Sequence, residues 1–147
     1  MFKHILIPID GSEFSDRAID TGLRFAKSIG ARVTGFIAEP DYTLPTYGDM
    51  ISRRGESMDV YSTRSRSHAQ GVLRRIEKRA LDEGVQFDSS FVQNDDPVSA
   101  IVGAAEENNC DLIVMASHGR RGLDKLIHGS ATEGVMTHTQ IPVLVLH

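Results

Sequence analysis

The sequence carries a single cysteine, Cys110, in 147 residues. No internal disulfide can form, so the fold must rest on its core. A thiol just ahead of an apolar strand reads as a buried, inert side chain, with a redox role as the alternative. No apolar run approaches the ~18 to 20 residues of a membrane-spanning helix, and the start lacks the charged-then-apolar pattern of a signal peptide. A cytoplasmic location is the resulting expectation. Basic residues are outnumbered, 16 Lys and Arg against 20 Asp and Glu, for a formal charge of -4. That balance argues against a general binder of nucleic acid or anionic membrane, and any anion must be met by local geometry.

Several motifs are absent as well. There is no G-x-x-x-x-G-K-[ST] stretch to set a lysine against β- and γ-phosphates, and no G-x-G-x-x-G turn follows the first strand, so fast phosphoryl transfer is not expected. Neither a G-x-S-x-G elbow nor a Cys/His pairing nominates an acyl-transfer site. His4, His68, His128, His138 and His147 show no metal-ligand spacing.

What is present is an alternation of strand and helix patterns. His4 to Ile9, HILIPI, is apolar on both faces, as a central parallel strand covered by helices reads. From Ser15, a plausible N-cap, Ala18, Ile19, Gly22, Leu23, Ala26 and Ile29 form one helical stripe that stops at Gly30. Arg32 to Ala38 is a second strand. The segment from Glu39 to about Arg66 loses periodicity while gathering proline, glycine, serine and Arg53, Arg54, Arg64 and Arg66; it reads as a lid, a partner surface or a solvated connection. A second amphipathic helix follows from His68 to Glu83, with Gly84 as its stop and a basic outer face interrupted by Glu77, Asp82 and Glu83. Val85 to Val92 is a third strand, and Asp95-Asp96-Pro97 opens a helix whose stripe is Val98, Ile101, Val102 and Ala105. Leu112 to Ala116 is the fourth strand, Ser130 to about Thr137 a short last helix, and Pro142 to Leu146 the fifth strand.

This order implies a single α/β domain over 1–147. It is a doubly wound, five-stranded parallel sheet of order 3-2-1-4-5 with helices on both faces. In that topology the carboxyl ends of the first and fourth strands meet in the crevice where ligands bind. Asp10-Gly11-Ser12 would line it from one side and Ala116-Ser117-His118-Gly119 from the other. The separated glycines Gly119 and Gly129 let backbone approach a phosphate, and the Ser130 hydroxyl can donate to it or cap the last helix. Asp10 reads as an acceptor for ribose hydroxyls, an outer-sphere partner of Mg²⁺ held by phosphates, or a cap for the first helix. His118 reads as a phosphate donor or a packed side chain, and Arg120, Arg121 and Lys125 as phosphate partners or solvated charges. Pro8, Ile9, Ile37 and Met115 supply an apolar rim for adenine. A helix terminus gives an anion only about 0.3 to 2 kcal/mol, whereas a micromolar ligand needs roughly 8 kcal/mol. The base and ribose must therefore carry most of the binding.

The PIDGS stretch, the HGRRG loop, the Gly-Ser at the last helix and the terminal PVLVL together resemble the universal stress protein family along essentially the whole chain. The nucleotide-binding branch of that family has G-x-x-G, nine residues, then G-[ST]. Here the pattern stands as Ala116-Ser117-His118-Gly119, nine residues, Gly129-Ser130. The resemblance implies an ATP (or AMP or ADP) site with Mg²⁺ on the nucleotide. Asp10 and Ile37 would lie at the ribose and adenine, with Gly119, Gly129, Ser130 and Thr132 around the phosphates. Pro8, Ile9, Met115, Ala116, His118, Arg120 and Ala131 complete the expected set. It also implies a stress-response sensor or regulator with little or no hydrolysis, and a homodimer through Val143, Leu144, Val145 and Leu146. A slow ATPase or adenylate-processing enzyme, and an ATP-independent interaction module using the Glu39 to Arg66 segment, are the other readings. The departure is Ala116 at the first glycine, whose Cβ would cost about 1 kcal/mol were φ positive there.

Overall fold

A computed structural model describes residues 1–10, 13–40, 57–116 and 128–146, with backbone alone considered at 13–15 and 128–130. The elements alternate along the chain as β1 (His4–Pro8), α1 (Glu13–Ile29), β2 (Arg32–Glu39), α2 (Met58–Glu83), β3 (Phe87–Gln93), α3 (Pro97–Glu107), β4 (Leu112–Ala116), α4 (His128–His138) and β5 (Val143–Leu146). All strand pairings are parallel and the order is β3-β2-β1-β4-β5, as the alternation predicts.

Each central strand sends alternate side chains to opposite faces, which divides the core in two. Ile5 and Ile7, Val33 and Ile37, and Leu112 and Val114 pack under α1 and α2, against Ile19, Leu23, Ala26, Ala69, Leu73 and Ile76. Leu6, Phe36, Ile113 and Met115 face the other way, against Ala100, Ile101, Ala104 and Ala105 of α3 and Val135 of α4. Gly35 marks a close approach within the sheet. A Cβ placed there would lie 2.5 Å from Cζ of Phe87, whose ring covers the position from β3.

Helix ends follow from local chemistry. Gly84, at φ 75, closes α2 in the left-handed conformation and donates to the Ala80 and Leu81 carbonyls. At α3 the Asp96 carboxylate accepts from the N–H groups of Val98 and Ser99 while Pro97 occupies the first turn. Most strands and the last helix differ from the sequence reading by a residue or two at an end, and two helices start earlier than it placed them. α1 starts at Glu13 rather than at a Ser15 cap. α2 starts at Met58, capped by Ser57, ten residues before His68. The α2 stripe does continue backward from Ala69, but through buried Ser65 and half-buried Tyr61, so a polar residue occupies the position where an apolar one would have revealed the helix. The lid, partner-surface and connection readings of Glu39 to Arg66 thus concern only its middle, and residues 41–56 lie outside the described residues. Within α3, Val98 and Val102 are only half-buried and Ala100 and Ala104 take their place in the core.

The switch point is visible in the pairing. Chain connections lead from β1 toward β3 on one side and from β4 to β5 on the other. β1 and β4 pair only at Ile5↔Leu112 and Leu6↔Ile113. Beyond those residues β1 runs on to Pro8 beside β2 and β4 runs on to Ala116 beside β5. The sheet is therefore parted at its carboxyl end between these two strands.

Candidate functional site

A cavity of about 370 Å³ occupies that parting. Phe36 and Met115, both nearly inaccessible to solvent, form its floor with Ile101 of α3. Pro8, Ile9 and Asp10 come from the end of β1, Ala38 and Pro40 from the end of β2, and Ala116 from the end of β4. The corner between β3 and α3 adds Asn94, Asp95 and Pro97, while α4 adds Ala131 and Thr132. The wall is mostly apolar with a few polar groups at its rim, the usual make-up of a small-molecule site.

Backbone hydrogen bonds hold these pieces in place. The Ile9 N–H donates to the Phe36 carbonyl at 2.8 Å, fixing the end of β1 against β2. The Asn94 N–H donates to the Glu39 carbonyl at 2.8 Å, fixing the α3 corner to the same strand. Thr132 is buried, and its hydroxyl donates to the Ala116 carbonyl at 3.5 Å, joining α4 to β4. The Asp96 carboxyl is held below its ordinary value by the Ser99 hydroxyl and by the Ser99 and Val98 N–H groups, so it is ionised and committed to capping α3. Asp10 is exposed at the mouth.

Seven of the residues nominated from the sequence meet at this cavity: Pro8, Ile9, Asp10, Met115, Ala116, Ala131 and Thr132. Gly129 and Ser130 stand in the first turn of α4, where N–H groups lack intrahelical partners. His118, Gly119 and Arg120, along with Arg121 and Lys125, lie outside the described residues. Ile37, also nominated, is not among the residues lining this cavity. It packs with the α1 and α2 cluster on the opposite face of the sheet, and its neighbours Phe36 and Ala38 line the cavity instead. The reason is the period of two along a strand: an apolar run gives no sign of which alternate set faces the ligand. Sequence reasoning also did not name Pro40, Asn94, Asp95, Pro97 and Ile101 as residues that line this cavity. The signal available was topological, since the β3–α3 corner opens at the same end of the sheet.

The alanine at the first glycine position has a plain account. Ala116 closes β4 in register with Leu146, and among the described non-glycine residues only Asn109, at φ 53, has a positive φ. The methyl group is thus unstrained and forms part of the cavity wall. Away from the site, burial pushes the Cys110 thiol up to about 11, in keeping with an inert core residue. Among the described residues no group of three or more His, Cys, Asp and Glu side chains could hold a metal ion, and no helix is long and apolar enough to cross a membrane.

The Universal stress protein family model matches residues 1–147. The chain belongs to this family. It is 31% identical over 149 residues to universal stress protein MJ0531 of Methanocaldococcus jannaschii, spanning 99% of this chain and 82% of that one. Among solved structures it resembles that of the protein MJ0577, at 27% identity and a TM-score of 0.78 over 99% and 96% of the two chains. The same fold recurs at lower identity in two ligand complexes. One is a universal stress protein with cAMP, at 24% identity and a TM-score of 0.72 over 99% and 97% of the chains. The other is the Archaeoglobus fulgidus universal stress protein with dAMP, at 20% identity and a TM-score of 0.66 over 99% and 98%.

Proposed function

We propose that this universal stress protein binds an adenine nucleotide, ATP foremost, in the cavity between β1 and β4, and that it acts as a nucleotide-dependent sensor or regulator with little or no hydrolysis. The observation that carries the reading is the run of the cavity from an apolar pocket to the first turn of α4. Phe36, Ala38, Met115 and Ile101 offer a surface for a base, and Asp10 an acceptor for ribose hydroxyls. Gly129, Ser130 and Thr132 stand where phosphates would meet the positive end of a helix. Mg²⁺ would arrive on the phosphates. Solved relatives of the same fold hold cAMP and dAMP, ligands that share the adenosine portion or its deoxy form.

Assembly and location belong to the same proposal: a cytoplasmic homodimer joined along β5. Val143 to Leu146 form an edge strand, and pairing with a second copy would occupy backbone groups that an edge leaves open.

Calorimetry with ATP and Mg²⁺ tests the binding. Saturable heat is expected, with affinity reduced about tenfold or more in Asp10→Ala, the loss of roughly one charge-assisted hydrogen bond, and in Gly129→Arg, whose side chain would fill the space where the backbone is to approach a phosphate. Absence of heat and of any thermal shift at millimolar nucleotide would overturn the reading.

A further inference from the structure

Resting on the nucleotide reading above, we propose that Asp95 selects the base: its carboxylate accepts a hydrogen bond from the exocyclic amine of adenine and disfavours purines that carry an oxygen at that position.

The direction of the ligand comes first. The cavity wall includes two carboxylates, Asp10 and Asp95, and no Lys, Arg or His among the described lining residues. Among the described residues, then, the carboxylates oppose a phosphate and the start of α4, beyond β4, attracts one. The sheet order puts β2 and β3 on the other side of β1. A nucleotide with its phosphates at α4 then directs its base toward Ala38, Pro40, Asn94 and Asp95.

The corner that receives the base is stiff. Asn94 Oδ1 accepts from the Asp96 N–H at 2.8 Å, and Asp96 in turn caps α3 through the N–H groups of Val98 and Ser99. Pro97 restricts Asp96 to extended backbone, seen at φ -103 and ψ 94. In the run Asn94-Asp95-Asp96 the outer two side chains thus build the turn. Asp95, between them, is also among the residues that line the cavity. An ionised carboxylate is acceptor-only, so it matches an amine and opposes a carbonyl oxygen. A site built to pair with a ligand N–H also discriminates strongly against the analogue that lacks it.

AMP and IMP differ at the six-position, amine against oxygen, and at the neighbouring N1, bare in AMP and protonated in IMP. A carboxylate set opposite the six-position meets the amine of one and the oxygen of the other, which makes them the probe pair. Titration of the wild-type protein is expected to give tighter binding of AMP by about tenfold or more, the scale of one hydrogen bond to a charged group. Asp95→Asn, whose amide both donates and accepts, should bring the two ligands to within about threefold. Asp95→Gly should weaken AMP without strengthening IMP. Equal wild-type affinities for AMP and IMP, or an unchanged preference in Asp95→Asn, would overturn the proposal while leaving nucleotide binding intact. Failure of both ligands to bind the wild-type protein would instead remove the nucleotide reading and this inference with it.

Discussion

The two ends of the sheet are built to different rules. At the amino end polar groups tie the strands to one another. The Asp111 carboxylate accepts from the N–H groups of Lys3 and His4, the Asp111 N–H returns to the His4 carbonyl at 2.9 Å, and the Arg32 N–H reaches the Lys3 carbonyl at 3.0 Å. His4 itself is buried, with Nε2 2.7 Å from the Thr34 hydroxyl. At the carboxyl end β1 and β4 stop pairing early and a cavity of about 370 Å³ is left between them, rimmed by Asp10, Asp95 and Thr132. One end uses its polar groups to hold strands together, whereas the other leaves room for a ligand to use them. Substitutions at the amino end should therefore cost stability, and those at the carboxyl end should cost binding.

Phe36 is where that division is expected to break. It is both a fully buried core side chain and the floor of the cavity. Phe36→Ala should lose about 3 to 5 kcal/mol of stability and bind nucleotide poorly, measured by urea denaturation and calorimetry on the same sample. Retained affinity in the folded variant would place the ligand elsewhere.

A smaller contrast sharpens the comparison. Thr34→Val removes the buried partner of His4 and should cost about 1 to 3 kcal/mol while leaving nucleotide affinity unchanged. The exposed Asp10→Ala should do the reverse, staying within about 0.5 kcal/mol of the wild type in stability while losing affinity. Equal losses of affinity in the two variants would end the separation of roles.

The smallest effect is expected in pH dependence. Burial, with the Arg32 charge beside it, holds the His4 imidazole below its usual 6.5. The unfolded chain then binds the proton more readily than the folded one. This contribution to stability is complete above 6.5 and declines as pH falls from there toward the folded-state value. Urea midpoints of the wild type should drop between about pH 7 and pH 5.5, and those of His4→Gln should drop less. Identical slopes would remove His4 from the account. Asp111 acts lower on the scale. Burial raises its carboxyl, but the His4, Lys3 and its own N–H groups together outweigh burial and leave it depressed, so its share is lost only as pH falls below 3.8.

The topology was legible because it depends on period and order alone. Five strand patterns separated by helical stripes leave little besides a doubly wound parallel sheet, and the meeting of Asp10 with Ala116 follows from the strand order. Phase within a strand was not legible. In Gly35-Phe36-Ile37-Ala38 every residue is apolar or small, and which pair lines the cavity is decided by the helices that cover each face, α1 and α2 on one and α3 and α4 on the other. The start of α2 was hidden for a related reason, since Ser65 sits buried where a stripe residue was expected. Asp95 was overlooked because Asp95-Asp96-Pro97 reads fully as a helix start, and only the folded corner separates the capping carboxylate from the one on the cavity wall. The phosphate-loop residues His118, Gly119 and Arg120 remain nominations from the sequence.

The ring of Phe87 lying over Gly35 couples two positions that are far apart in the chain. A Cβ at residue 35 would meet Cζ at 2.5 Å and Cε2 at 3.0 Å, with Ile9 Cδ1 at 3.1 Å on another side. Residue 35 can grow only where residue 87 shrinks or turns aside. Among descendants of this sequence the two sites should vary together, and a Gly35→Ala lineage should be found beside a smaller side chain at 87 rather than alone.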